Sequence, residues 1–327
     1  MTRRIFAKRS GPPTGVEELP RVRRTTSPSQ VPTDRLRLTV LRRLDGLLAG
    51  DHAGLLPGHG TERGEARPYV AGDDPRHIDW AVTARTNVPH VRDTIADHEL
   101  EMWLVVDSSS SLAFGTGRAT KHELAWSAAG AFALLASDGG NRIGAVRTTP
   151  KDGGTRPEIV PARSGTNHIG AVLATLRRPP ADGEEGDLRG ALDMVTRTAR
   201  RRGMVVVVSD FLGPATWERQ LRALSHRHDV IAVEVSDARE VDLPDVGLIS
   251  VVDPETGRRR LIDTSKAKVR KRYGELADER RRDLASVLAS CGADHLALRT
   301  DRDWVLDLVE FVANRRTRLL ALGDRHR

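Results

Sequence analysis

Residues Val205 to Val208 are four consecutive valines, and such a run suits a strand buried on both faces. A half-exposed strand would alternate with polar residues, and β-branched side chains are stiff at χ1 and pack well on a pleated surface. A second compact run, Leu104-Val105-Val106, ends on Asp107. Further short apolar runs predict strands near 143–147, 158–161, 230–235 and 295–298, with two short strands joined by a turn at Pro254 to Gly257. Between them, helical periodicity covers about 121–137, 168–176, 188–200, 217–224, 265–288 and 303–315. The 121–137 helix opens with a capping box, Thr120 and Glu123, and closes at Gly139 and Gly140. Strands alternating with helices predict an α/β fold, a doubly wound, mostly parallel sheet, with ligands beyond the carboxyl ends of its strands.

Before this block the chain reads differently. Residues 1–32 mix Arg, Pro, Ser and Thr without apolar periodicity, a basic arm that cannot offset its own ordering entropy. Thr33 caps a helical run through Leu36, Val40, Leu44 and Leu47, stopped by Gly50. An irregular lead-in follows to about residue 100, with short strands or turns around Tyr69 and Val91. The organisation expected is therefore an arm at 1–32, a helix and lead-in at 33–100, the α/β domain at 101–315 and a basic tail at 316–327.

Hydrophobic residues at 39% argue for a folded core, while no stretch approaches the roughly 20 apolar residues of a membrane span and no secretory signal is visible. The single cysteine, Cys291, cannot form an internal disulfide, which fits a reducing cytoplasm. A net charge of +7 raises the possibility of a nucleic-acid binder, but the excess lies in the arm and in the helix around Lys266 to Arg282. With 4% aromatic residues, stacking platforms are scarce, so nucleic acid is not the expected partner. No Gly-rich phosphate loop with its lysine appears, so any nucleotide hydrolysis belongs to a partner.

The chemistry begins where the Leu104 strand ends. Asp107, Ser109 and Ser111 form Asp-x-Ser-x-Ser, and spacing by two can turn a carboxylate and two hydroxyls toward one point. Oxygen ligands of this kind suit a hard cation such as Mg²⁺. Asp210 closes the four-valine strand in an equivalent position. Two such acids would repel each other unless a cation lay between them. The plainer reading is that Asp107 and the serines cap the following turn.

From Tyr69 to Arg147 the sequence resembles the domain-of-unknown-function-58 (DUF58) family. The residues that carry this are Gly72-Asp73-Asp74-Pro75-Arg76-His77-Ile78-Asp79-Trp80, Ala84-Arg85, Asp107 to Ser111, Phe114-Gly115 and Lys121, and more weakly Ser209-Asp210-Phe211. The resemblance implies a von Willebrand factor A-like domain, often encoded beside MoxR-type AAA+ ATPases. It also implies a metal-ion-dependent adhesion site built from Asp-x-Ser-x-Ser, a threonine and a distant aspartate. Asp107, Ser109, Ser111 and Asp210 match three of those four parts. The threonine position falls at Gly186, leaving Asp187 as the candidate substitute.

The expected function is a metal-dependent protein-interaction adaptor, not an enzyme, with a MoxR-type ATPase as the implied partner. Two alternatives stand beside it. One is a metal-dependent hydrolase using Asp73, Asp74, His77 and Asp79, since carboxylates and imidazole bind metals that activate water. The other is a basic nucleic-acid binder. For the Gly72 to Trp80 segment the structural reading is a turn at Asp74-Pro75, with Arg76 and Arg85 pairing with the acids and Trp80 packing on the core.

Overall fold

A computed structural model of the chain describes residues 66–323 apart from 71–72, 76–77, 93–99, 118, 138–139, 150–156, 181–185 and 253–258. The arm at 1–32, the helix expected after Thr33 and the last four residues lie outside the described residues. In chain order the first elements are β1 (Ala66–Pro68), α1 (Trp80–Thr86), β2 (His90–Arg92), β3 (Glu101–Val106), α2 (Lys121–Ser137), β4 (Arg142–Arg147) and β5 (Glu158–Arg163). They are followed by α3 (Thr166–Leu176), α4 (Leu188–Thr198), β6 (Gly203–Ser209), α5 (Glu218–Ser225), β7 (Asp229–Ser236) and α6 (Ala238–Val241). The chain ends with β8 (Leu248–Val252), β9 (Arg259–Asp263), α7 (Ala267–Ser290), β10 (Asp294–Arg299) and α8 (Trp304–Gly323).

Six strands form one sheet in the order β10-β7-β6-β3-β4-β5, parallel except for β5, which runs antiparallel to β4 at the edge. This is the doubly wound, mostly parallel α/β architecture expected from the alternation of elements. The valines of β6 sit at its centre with 0% exposure. Their parity divides the core: Val206 and Val208 face α2, α3 and α8 with Leu104 and Val106 of β3, while Val205 and Val207 face α4, α5 and α7 with Trp103 and Val105. Each such side chain taken out of water is worth roughly 1.5–3 kcal/mol, so this pattern fixes which strands can be central.

Helix α2 is buried almost all round, from Lys121 and His122 to Ala136. Its small residues Ala128, Ala129, Gly130, Ala131 and Ala133 let the backbone approach the sheet closely. The capping box holds: Glu123 N–H donates to Thr120 Oγ1 at 3.1 Å and Thr120 N–H to Glu123 Oε2 at 2.8 Å.

The chain order sets the position of any site. From β3 the chain crosses through α2 on one face to β4, whereas β6 is entered from α4 on the other face and lies on the opposite side of β3. The junction of β3 and β6 is thus the topological switch point, and a crevice opens beyond their carboxyl ends.

The same rim is braced by Asp237, fully buried just after β7. Its carboxylate accepts from Thr116 N and Oγ1 at 2.9 and 2.5 Å, from Thr300 Oγ1 at 2.6 Å and from Arg239 N at 2.9 Å. Burial pushes this carboxyl up, but the hydrogen bonds outweigh burial and hold it below its usual 3.8. A lowered folded-state value contributes stability that is present above the unfolded value and lost as pH falls through the folded one. Asp237→Asn is therefore expected to cost about 1 kcal/mol near neutrality. Urea titrations should show that gap shrinking below 3.8, the value from which Asp237 is displaced; a gap independent of pH would contradict the assignment.

Three differences from the sequence reading have clear physical causes. Residues 80–86 form helix α1, nucleated by Asp79, whose side chain accepts from Ala81 N and Val82 N at 3.0 and 3.2 Å. Trp80 is 72% exposed rather than packed on the core, because it occupies the first position of that short helix. Helix α8 runs to Gly323, past the expected stop at Arg315, because Arg315 is an anchor inside the fold and not the start of a frayed end.

Candidate functional site at the carboxyl edge of the sheet

Asp107 extends β3 by one residue, its N–H still bonded to Val208 O at 2.9 Å. Asp210 stands one residue beyond β6. Since Val106 lies opposite Val208, both carboxylates arise on one rim and line one crevice together with Ser109, Asp187 and Ser209.

Asp107 is 5% exposed. Ser109 N and Thr148 Oγ1 donate to its Oδ1 at 3.0 and 3.1 Å, and Ser209 Oγ and Ser109 Oγ to its Oδ2 at 2.7 and 3.2 Å. Among the described residues these four donors are all neutral. Burial raises the carboxyl's affinity for a proton, the Asp210 charge raises it further, and the hydrogen bonds offset this only in part. Ser109 and Ser111 hydroxyls lie 2.9 Å apart. A 3-10 turn over Ser110–Ala113 delivers Ser111, so local coiling, not an extended zigzag, makes the three side chains converge.

Two hydroxyls were not singled out as ligands from the sequence. Ser209 sits between Asp107 and the Phe211 N–H, which donates to its Oγ at 3.0 Å. Thr148, at the end of β4, accepts from Ser108 N at 2.8 Å while donating to Asp107. Ser209 ends β6 and Thr148 follows β4 at the same rim, and that placement is the signal that could have found them. Phe211 takes a left-handed conformation, φ 49°, with its ring 5.1 Å from Trp217 at 60°. With Leu212 and Pro214 these rings form an apolar wall beside the carboxylates.

Gly186 explains the missing threonine. A Cβ there would lie 2.4 Å from Asp107 Oδ1 and 2.8 Å from Thr148 Oγ1, so the backbone itself closes on the carboxylate. Asp187 lines the crevice and caps α4, accepting from Gly190 N at 2.8 Å.

Lys121, one of the residues that carry the family resemblance, is fully buried. Its Nζ donates to Asp210 Oδ2 at 2.7 Å and to Glu240 Oε1 at 2.5 Å. Burial disfavours the ammonium, but Asp210 and Glu240 outweigh it and keep the amine protonated above its ordinary range.

The described residues of the Gly72 to Trp80 segment do not line the crevice. Arg67 clamps Asp73 through two bonds of 2.7 and 2.8 Å, which with the Val70 N–H lowers Asp73 to about 2. Ile78 N–H donates to Pro75 O at 3.3 Å, closing the turn expected after Asp74. Arg85 Nε donates to Ala81 O at 3.3 Å within its own helix. Gly72, Arg76 and His77 lie outside the described residues. Among the described residues, no group of three or more His, Cys, Asp or Glu side chains could hold a metal ion. A cation in the crevice would thus depend on hydroxyl oxygens as well as carboxylates.

Fold and site together define an α/β protein with an oxygen-lined crevice at its switch point. The chain belongs to the family described as "Protein of unknown function DUF58", whose profile matches residues 65–283. An uncharacterized protein of Mycobacterium tuberculosis is 51% identical over 289 residues, covering 88% of this chain and 89% of that one. An uncharacterized protein of Mycobacterium avium is 47% identical over 164 residues, 50% of this chain and 96% of that one. Among solved structures, the conserved hypothetical protein BatB from Bacteroides thetaiotaomicron aligns at 13% identity over 67% of this chain and 99% of that one, TM-score 0.40. A von Willebrand factor type A structure from Catenulispora acidiphila aligns at 12% identity over 70% of this chain and 43% of that one, TM-score 0.34. No described helix is long and apolar enough to cross a membrane.

Proposed function

We propose that this protein is a cytoplasmic, metal-dependent interaction adaptor of the von Willebrand factor A-like kind, not an enzyme. One observation carries the reading: Asp107 is a buried carboxylate whose four donors among the described residues are all neutral, with the Ser109 and Ser111 hydroxyls gathered beside it. A buried charge is costly unless an opposite charge pairs with it. Three hard oxygen groups suit Mg²⁺ better than a softer metal. Asp107, Ser109 and Ser111 would hold the ion, with Asp210 and Asp187 at its margin. Bound there, the ion supplies positive charge that this site only partly neutralises, and so attracts a carboxylate from another protein. The partner proposed from the family resemblance is a MoxR-type AAA+ ATPase.

Asp73 and Asp79 favour the non-catalytic side of this reading, since one is clamped by Arg67 and the other caps a helix. The test is magnesium titration calorimetry together with affinity capture of the co-expressed ATPase, with and without a chelator. Asp107→Ala is expected to weaken Mg²⁺ binding at least about tenfold and to release the ATPase as chelator does, since charge-assisted ligation is lost. Equal magnesium binding and equal capture by the variant would overturn the proposal.

A further inference from the structure

Lys121 is the first residue of α2, where the helix dipole disfavours a positive charge, and it is fully buried. A lysine is kept in such a place only where acids compensate it, and here two do so from different elements. Asp210 comes from the end of β6 and Glu240 from α6. Neither acid is free to move away. Arg280 Nη2 donates to the Asp210 and Phe211 carbonyls at 3.1 Å each, and Leu212 N donates to Asp210 Oδ1 at 3.2 Å. Glu240 Oε2 accepts from Asp237 N at 3.0 Å in the capping box that opens α6. The ammonium is therefore held in fixed geometry on the crevice's own aspartate, next to Asp107, which has no such partner among its donors.

We propose that Lys121 is a resident cation that sets the strength of the divalent-ion site: it takes Asp210 for itself and leaves Asp107, Ser109 and Ser111 as the half that receives an added ion. This rests on the metal reading above and adds to it a residue that tunes occupancy. Two like charges cannot share one carboxylate in a poorly hydrated crevice without strong repulsion, so the ammonium holds the site to weak binding. Glu240 is the counterweight. It draws part of the ammonium's charge away from Asp210, and its removal would tie Lys121 more closely to Asp210.

The experiment is titration of the full chain with magnesium chloride, followed by calorimetry and by thermal melting, for wild type, Lys121→Met, Glu240→Gln and Asp107→Ala. Lys121→Met is expected to tighten Mg²⁺ binding about tenfold and to make its melting temperature depend on magnesium, whereas Glu240→Gln is expected to loosen binding about tenfold. A lysine that served structure alone would lower the melting temperature of both variants and leave magnesium affinity unchanged. That result, with Asp107→Ala still weakening binding, would overturn this inference while leaving the metal reading intact. Magnesium binding by Lys121→Met but not by wild type would support the inference and overturn the metal reading for the native chain. No binding by either would overturn both. The Glu240 side chain is 22% exposed, so Glu240→Gln carries the test even where Lys121→Met fails to fold.

Discussion

Arg315→Met is expected to lower the stability of the protein by about 3–5 kcal/mol, the usual loss when one partner of a buried ion pair is removed. Arg315 is 1% exposed and reaches from α8 to two acids at the amino ends of neighbouring strands. It pairs with Asp229 of β7, and its Nε donates to Asp294 of β10 at 2.8 Å. Both acids keep some solvent contact, which places the expected value toward the lower end of that range. The substitution also frees α8 from the face it covers with Leu308, Val309 and Val312. Because these contacts lie at the rim opposite the crevice, magnesium affinity should change less than twofold by roughly the additivity of distant sites. Urea unfolding followed by circular dichroism measures the first quantity and calorimetry the second. A loss below about 1 kcal/mol would mean that the arginine is not the anchor of this helix.

Gly186→Thr should damage the site it would seem to complete. In sequence the change restores the hydroxyl that the metal-site pattern lacks. In space, its Cβ would fall 2.4 Å from Asp107 Oδ1, 2.8 Å from Thr148 Oγ1 and 3.2 Å from Ser109 N. The last of these is backbone and cannot rotate away. Overpacking of this kind costs about 1–3 kcal/mol, and displacing Asp107 should weaken magnesium binding at least about tenfold. Adding Thr148→Ala removes one of the colliding atoms, so the double variant should regain part of the stability lost by Gly186→Thr. Tighter magnesium binding by Gly186→Thr would show that the carboxylate can yield to the added side chain.

Most of the α/β domain was legible because its elements differ in period and length. The valines of β6 and the Leu104 run could only be central strands, and the Ala-rich α2 needed both its cap and its burial to exist. Carboxylates at the ends of such strands follow from the same reasoning, since chain polarity alone puts Asp107 and Asp210 beyond carboxyl ends. Helix α1 was hidden for a physical reason: seven residues carry too little periodicity, and its start depends on Asp79 bonding to two N–H groups. Arg67 as the partner of Asp73 was hidden too, because a separation of six positions says nothing about which arginine folds back.

What the sequence determined by itself is the inventory and the order: which runs must be buried, which residues end them, and that Asp-x-Ser-x-Ser follows one central strand. What only the tertiary structure decided is pairing across the rim. Lys121 and Asp210 are 89 positions apart, Ser209 and Asp107 are 102, and no local pattern encodes a contact over that span. Their meeting depends on the sheet order, which puts β6 beside β3, and on the close packing of α2 that leaves a buried ammonium no other place to lie.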